Sequence, residues 1–158
     1  MNFIQSLFEY DNFFNVDEGF IVDIENNHSV GLYLHGRCHL FALKLHEMTQ
    51  YPLSAYIELE PWDDNYNIMD KPALIHAFCI LNDSLSIDAF GVRFQKTVEA
   101  EYCFESNELL VIHGEEARKL LVDWIEADLL YDYEEHEEQA LERYIQLMID
   151  NKLFVLKS

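Results

Sequence analysis

Cys38 stands where a glycine-containing turn gives way to a helical pattern, in Gly36-Arg37-Cys38-His39. Cysteine attacks as the thiolate, and an unperturbed thiol near pKa ~8.5 is mostly protonated at neutral pH. The partial positive charge of a helix N-terminus lowers that value, and a nearby imidazolium lowers it further. Position alone supplies the first effect. Phe41, Ala42, Leu45 and Met48 recur at helical spacing after Cys38, and Gly36 permits a sharp entry into the helix.

The second effect needs a histidine brought close by the fold. Ala73 to Leu81 reads as a strand, Asn82-Asp83 as a turn, and Ser84 to Phe94 as a returning strand. On such a hairpin His76, Phe78 and Ile80 share one face, and Ser84, Ser86, Asp88 and Phe90 share one face of the partner. Pairing Ile80 with Ser84 across a three-residue turn sets Cys79 opposite Leu85 and His76 opposite Asp88. Directly opposed Cβ atoms lie about 5 Å apart, close enough for a carboxylate to fix an imidazole tautomer. A slip of one residue puts Asp88 on the other face.

Each residue also has a plainer reading. Cys38 can be a small buried apolar residue, His76 a core histidine with satisfied hydrogen bonds, and Asp88 an ordinary acid near a turn. Their order and shared face favour the chemical reading. Cys79 points away from His76 and reads as core, Cys103 as structural, and His39 as a flanking residue without a chemical role. His35, Cys38, His39, His46 and His76 are all zinc-competent types. However, His46-Glu47-Met48-Thr49-Gln50 lacks the second histidine of the zincin helix and no CxxC pair occurs, so neither a metal nor any other cofactor is expected.

Cys38 opening a helix, then His76 and Asp88 on successive strands, resembles the papain-like cysteine hydrolase superfamily. The Cys-His-Asp order looks most like its transglutaminase-like and NlpC/P60-like branches. Gly36-Arg37-Cys38-His39-Leu40-Phe41-Ala42 is also similar to the helix start of small bacterial proteins with a glycine-X-cysteine-histidine-X-phenylalanine-alanine pattern, and Asp88-Ala89-Phe90-Gly91 fits their later aspartate. The resemblance spans roughly residues 30 to 95. It implies a papain-like α+β core in which Cys38 attacks an amide of a protein or peptide, His76 moves the proton and Asp88 orients His76. The reaction would be proteolysis, amidase action, deamidation or transamidation. The oxyanion hole would use the Cys38 N–H and a second donor. Leu32-Tyr33-Leu34-His35 occupies the place where many such enzymes carry glutamine, which leaves Tyr33 or His35 as the candidate donor.

The elements that must position these residues follow from the rest of the pattern. Gly19 to Ile24 and Leu53 to Leu59 read as strands, Glu25 to His28 as a turn, and 61–72 as a polar loop. Thr97 to Phe104, Leu109 to Ile112 and Leu153 to Leu156 are expected to add strands. Glu115 to Leu130 and Glu134 to Asp150 are acidic amphipathic helices. The aromatic segment from Ser6 to Asn15 has no clear period.

The 158 residues fit one domain, and half of them are apolar or aromatic, enough to bury a core. Thirty acids against ten Lys and Arg give a formal net charge of −20. That field repels phosphate backbones and anionic membranes, which disfavours direct nucleic-acid or membrane binding. It attracts a basic partner, so the rival reading is a non-enzymatic acidic protein that inhibits a basic or nucleic-acid-binding partner, one form of it being a degenerate papain-like scaffold. The run Tyr131 to Glu138 could dock such a partner, but reads first as a solvated helix start. Three cysteines, a start without the features of a signal peptide and no run near the roughly 20 apolar residues of a membrane helix suggest a cytoplasmic protein with free thiols.

Overall fold

The computed structural model describes residues 18–59, 61, 65, 72–103 and 109–151. The segment 6–15, most of the 61–72 loop and the strand expected at 153–156 lie outside them. In chain order the elements are β1 (Ile21–Asp23), β2 (His28–Ser29), α1 (Val30–Leu34), α2 (Cys38–Thr49), β3 (Leu53–Glu58), β4 (Ala73–Ile80), β5 (Leu85–Asp88), β6 (Gly91–Phe94), α3 (Gln95–Cys103), β7 (Leu109–His113), α4 (Gly114–Glu126) and α5 (Glu137–Asp150). The class is α+β. β1 and β2 form a short ladder, and the other strands form one antiparallel sheet in the order β6-β5-β4-β3-β7. None of the helices is long and apolar enough to cross a membrane, among the described residues.

α2 starts at Cys38, as the pattern indicates, after Gly36 at φ 121° turns the chain. It stops at Gln50, whose left-handed φ of 66° precedes Pro52. Leu40, Phe41 and Leu45 of α2 share one core with Ala77, Cys79 and Ile87 of the sheet and with Leu121 and Ile145 of α4 and α5. On the other face of the sheet, Tyr56 and Phe78 pack with Val98 of α3, and Ile75, Ile80 and Tyr102 join them. β4 alternates between these cores, as a two-sided strand must. The exception is at Ile75. Tyr56 pairs with His76 but Ile57 pairs with Leu74, so Ile75 is the extra residue of a β-bulge next to His76.

Three expectations are corrected. The stretch Ser84 to Phe94 is two strands, because Asp88 pairs with Gly91 across a tight turn at Ala89-Phe90. Gly91, at φ 126°, permits that turn. Gln95 to Cys103 is a helix, not a strand: Val98 and Tyr102, four apart, are the positions it turns to the sheet. The hairpin register also differs. Ile80 faces Ser86 and Cys79 faces Ile87, because Asn82 caps the turn by accepting from the N–H groups of Ser84 and Leu85. The shift is two residues, so Asp88 stays on the face of His76.

A buried ionic group fixes the start of α2. Arg37 Nε donates to Glu137 Oε2 at 2.8 Å, a second guanidinium nitrogen binds Glu137 Oε1, and that same nitrogen donates to the Asp132 carbonyl at 2.9 Å. Tyr33 and the Glu134 N–H also donate to Glu137, at 2.6 and 2.8 Å, and His28 lies 3.2 Å away. Burial alone raises a carboxyl pKa, but these donors hold Glu137 below the usual carboxylate range. The acidic run is therefore not simply a solvated face. Glu137 is fully buried, and Glu138 joins Glu47 and Glu142 around the buried Lys44 ammonium. Replacing Glu137 by Ala strands Arg37 in the interior and should cost about 3–5 kcal/mol. A lower urea midpoint at unchanged slope would register that loss, while Arg37→Met with Glu137→Leu should lose far less.

Candidate active site

Cys38 is the first residue of α2 and is only 4 % exposed. Its sulfur interacts with the imidazoles of His39 and His76 and with the backbone of Ala77. β5 pairs with β4 only at Cys79 and Ile80, so the two strands are unpaired along the stretch that carries His76 and Ala77. The thiol, carried by a helix on one face, meets an imidazole that packs with Phe78 and Tyr102 of the other core.

His76 is fully buried, and its Nε2 lies 3.1 Å from Asp88 Oδ2. A carboxylate only accepts, so Nε2 carries the hydrogen and Nδ1 is left for the sulfur. Nδ1 is buried and has no hydrogen-bond partner among the described residues. The ring is held flat between Tyr102, at 3.9 Å and 6°, and Phe78, at 5.6 Å and 20°. Asp88 is fixed in turn. Its Oδ1 accepts from the Phe90 N–H at 3.0 Å, and its Oδ2 binds the Arg93 guanidinium. Arg93 also binds Glu101 of α3 at 2.5 Å.

These contacts set the charges. Burial pushes the Cys38 thiol up, but His39, His76 and the Ala77 amide together bring it down to about 6. Burial pushes His76 down, but the hydrogen bond and charge of Asp88 and the proximity of Cys38 raise it to about 9. Asp88 falls below the usual carboxylate range: burial opposes ionisation there, and His76 and Arg93 outweigh it. A thiolate beside an imidazolium is the stable arrangement between those two values. Cys79 is the contrast. It is fully buried, donates to the Ala42 carbonyl at 3.5 Å, and burial alone drives its pKa far up. It is core, as the strand pattern indicates.

The structure thus brings Cys38, His76 and Asp88 together. Tyr33 is turned elsewhere, since its hydroxyl proton goes to Glu137 rather than toward an oxyanion. His35 is exposed and packs against Tyr102 at 5.9 Å, placing it at the rim. The first N–H groups of a helix have no acceptor within it, and the Cys38 N–H is one of these at the start of α2. Sequence reasoning missed His39, Arg93 and Tyr102. His39 is fully buried, its Nε2 lies 2.7 Å from the Tyr131 carbonyl oxygen, and it helps to lower the Cys38 pKa. Arg93 sits two residues past Gly91 on a strand, and only the β5–β6 turn brings it to Asp88.

Tyr102 closes the site. It covers one face of His76, donates to the Leu34 carbonyl at 3.4 Å and touches His35. Beyond Gly36, a side chain would meet open space. A separate cavity of about 580 Å³ lies between α2, α4 and the 132–138 segment, lined by Leu43, Val122, Ile125 and Tyr133 with acids at its rim, and does not reach the thiol. Among the described residues no group of three His, Cys, Asp or Glu side chains is placed to hold a metal ion. Compared with models of known protein families, with curated proteins and with solved structures, the chain matches none.

The pH dependence follows with its signs. His76 is raised, so its contribution to stability is full below its ordinary value near 6.5 and is lost as pH rises through about 9. Cys38 is lowered, so its contribution is full above its ordinary value and is lost as pH falls through about 6. Alkylation of Cys38 by iodoacetamide should accordingly rise with a midpoint near pH 6, while Cys79 stays unlabelled in the folded chain. Asp88→Asn should move that midpoint upward, and Tyr102→Ala should speed labelling on the order of ten-fold by uncovering His76. Mass spectrometry of the labelled peptides reads all three; a midpoint at the free-thiol value would refute the paired state.

Proposed function

We propose that the chain is a cysteine-dependent hydrolase or acyltransferase of the papain-like type, acting on an amide of a protein or peptide through Cys38, His76 and Asp88. One observation carries this reading. A carboxylate fixes an imidazole at 3.1 Å, and that imidazole faces a helix-start thiol whose pKa is brought down to about 6. The thiolate attacks the carbonyl carbon, the Cys38 N–H steadies the oxyanion, and His76 delivers its proton to the leaving nitrogen. The proposed setting is the cytoplasm, where a thiol stays reduced.

A second reading has its own support. Cys38 is only 4 % exposed, and the chain carries a formal charge of −20. Both fit an acidic binding protein that kept the scaffold and lost the reaction, engaging a basic partner.

A library of short peptides bearing a chromogenic C-terminal amide separates the two. The enzyme reading expects chromophore release that Cys38→Ala abolishes and that His76→Ala lowers on the order of 10²- to 10⁴-fold. Absence of release, together with a Cys38 no more reactive than Cys79, would favour the binding reading. In that case Cys38→Ala should leave affinity for a basic partner intact.

A further inference from the structure

The sheet topology leaves a gap between two helices. α2 packs against β4, and α4 packs against β3 and β7, so the two lie on one face of the sheet over different strands. Leu43 and Glu47 of α2 are four residues apart, and Arg118, Val122 and Ile125 of α4 follow at steps of four and three. Each set is one stripe of its helix. The two stripes and the 132–138 segment wall the cavity of about 580 Å³, a volume in the range of ligand pockets.

The cavity has an apolar floor and an acidic rim. Leu43, Val122, Ile125 and Tyr133 form the floor, and each is only half-buried. Glu47, Glu126, Asp132 and Glu138 stand around it against one guanidinium, Arg118, which Glu115 already holds at 2.9 Å. The buried Lys44 ammonium, 5.9 Å from the centre of the Tyr133 ring, is shared by Glu47, Glu138 and Glu142. One ammonium cannot neutralise three carboxylates. Among the described residues no cation pairs with the carboxylate of Glu126 or Asp132. The rim therefore keeps an excess of negative charge, which repels phosphate-bearing partners and attracts cationic ones.

The walls also decide the backbone of an occupant. Both are helices, whose backbone groups bond within the helix, and none of the lining residues lies on a strand. An extended peptide finds no ladder to join there. A helix arrives with its own backbone bonds made and needs only side-chain contacts. We propose that this groove docks a basic amphipathic helix of a partner protein, whose apolar side chains fill the floor between α2 and α4 and whose Lys and Arg side chains meet the rim. The assignment rests on the second reading above for its basic partner and needs no reaction at Cys38.

The probe is a fluorescein-labelled helical peptide of leucine and lysine with its leucines on one face, titrated with the full chain and read by fluorescence anisotropy. The parent chain should bind it saturably, and a peptide of the same composition with scattered leucines should bind on the order of ten-fold more weakly. Glu126→Lys and Glu99→Lys change the net charge equally, but Glu99 is exposed on α3, on the opposite face of the sheet. Glu126→Lys should weaken binding on the order of ten-fold and Glu99→Lys little. Val122→Lys, at a half-buried helical position, should weaken it on the order of a hundred-fold. Equal weakening by Glu126→Lys and Glu99→Lys, equal binding of the two peptides, or parental binding by a folded Val122→Lys chain overturns the groove and leaves a basic partner standing. Self-association of the parent that Val122→Lys abolishes gives the groove to a second copy and also overturns the proposal. No binding by the parent chain overturns the groove and the basic partner together.

Discussion

The pairing of Arg37 with Glu137 is the contact on which the other positions depend. It joins the residue before α2 to the first residue of α5, two points a hundred residues apart in sequence. Tyr33 of α1, His28 of β2 and the N–H of Glu134 converge on the same carboxylate. A buried charge is costly unless its hydrogen-bonding capacity is filled, and here both carboxylate oxygens are used. Moving α2 along its axis would break several of these bonds together. The helix start, and with it Cys38, is held to one place.

Holding the thiol there has a cost that the neighbours must offset. Burial is the largest single influence on Cys38, and it opposes the charged form. The outcome is reversed only because two imidazoles and an amide are gathered around one sulfur, at the stretch where β5 and β4 are unpaired. The bulge at Ile75 adds a residue just before His76 and so sets how that side chain is aimed. Arg93 then keeps Asp88 ionised behind it. Helix start, strand separation, bulge and β5–β6 turn thus act on a few atoms.

Part of this was legible in the chain. The start of α2 could be read because Gly36 and the apolar spacing after Cys38 are local signals. The common face of His76 and Asp88 survived a wrong register, because an error of two residues preserves the alternation of a strand whereas an error of one does not. What could not be read depends on distant partners. α3 looked like a strand because Val98, Tyr102 and the residues between them suit either period, and only packing on Tyr56 and Phe78 decides. Glu137 looked solvated because its neighbours are acidic, and the cation that draws it inward lies in another element. The burial of His39 could not be read because its partner, the Tyr131 carbonyl, lies 92 residues further along the chain.

β7 closes the sheet order at one end, and among the described residues no strand pairs with its outer side. Leu110 and Val111 on it are each 40 % exposed. A row of open backbone groups with apolar side chains is a template on which another copy can add. A formal charge of −20 on each copy opposes close approach at long range. The protein's colloidal behaviour is thereby tied to its acid excess rather than to the shape of its edge. Acidification toward the isoelectric point, or concentrated salt, dissolves that barrier while leaving the sticky border in place, so turbidity would precede any loss of fold.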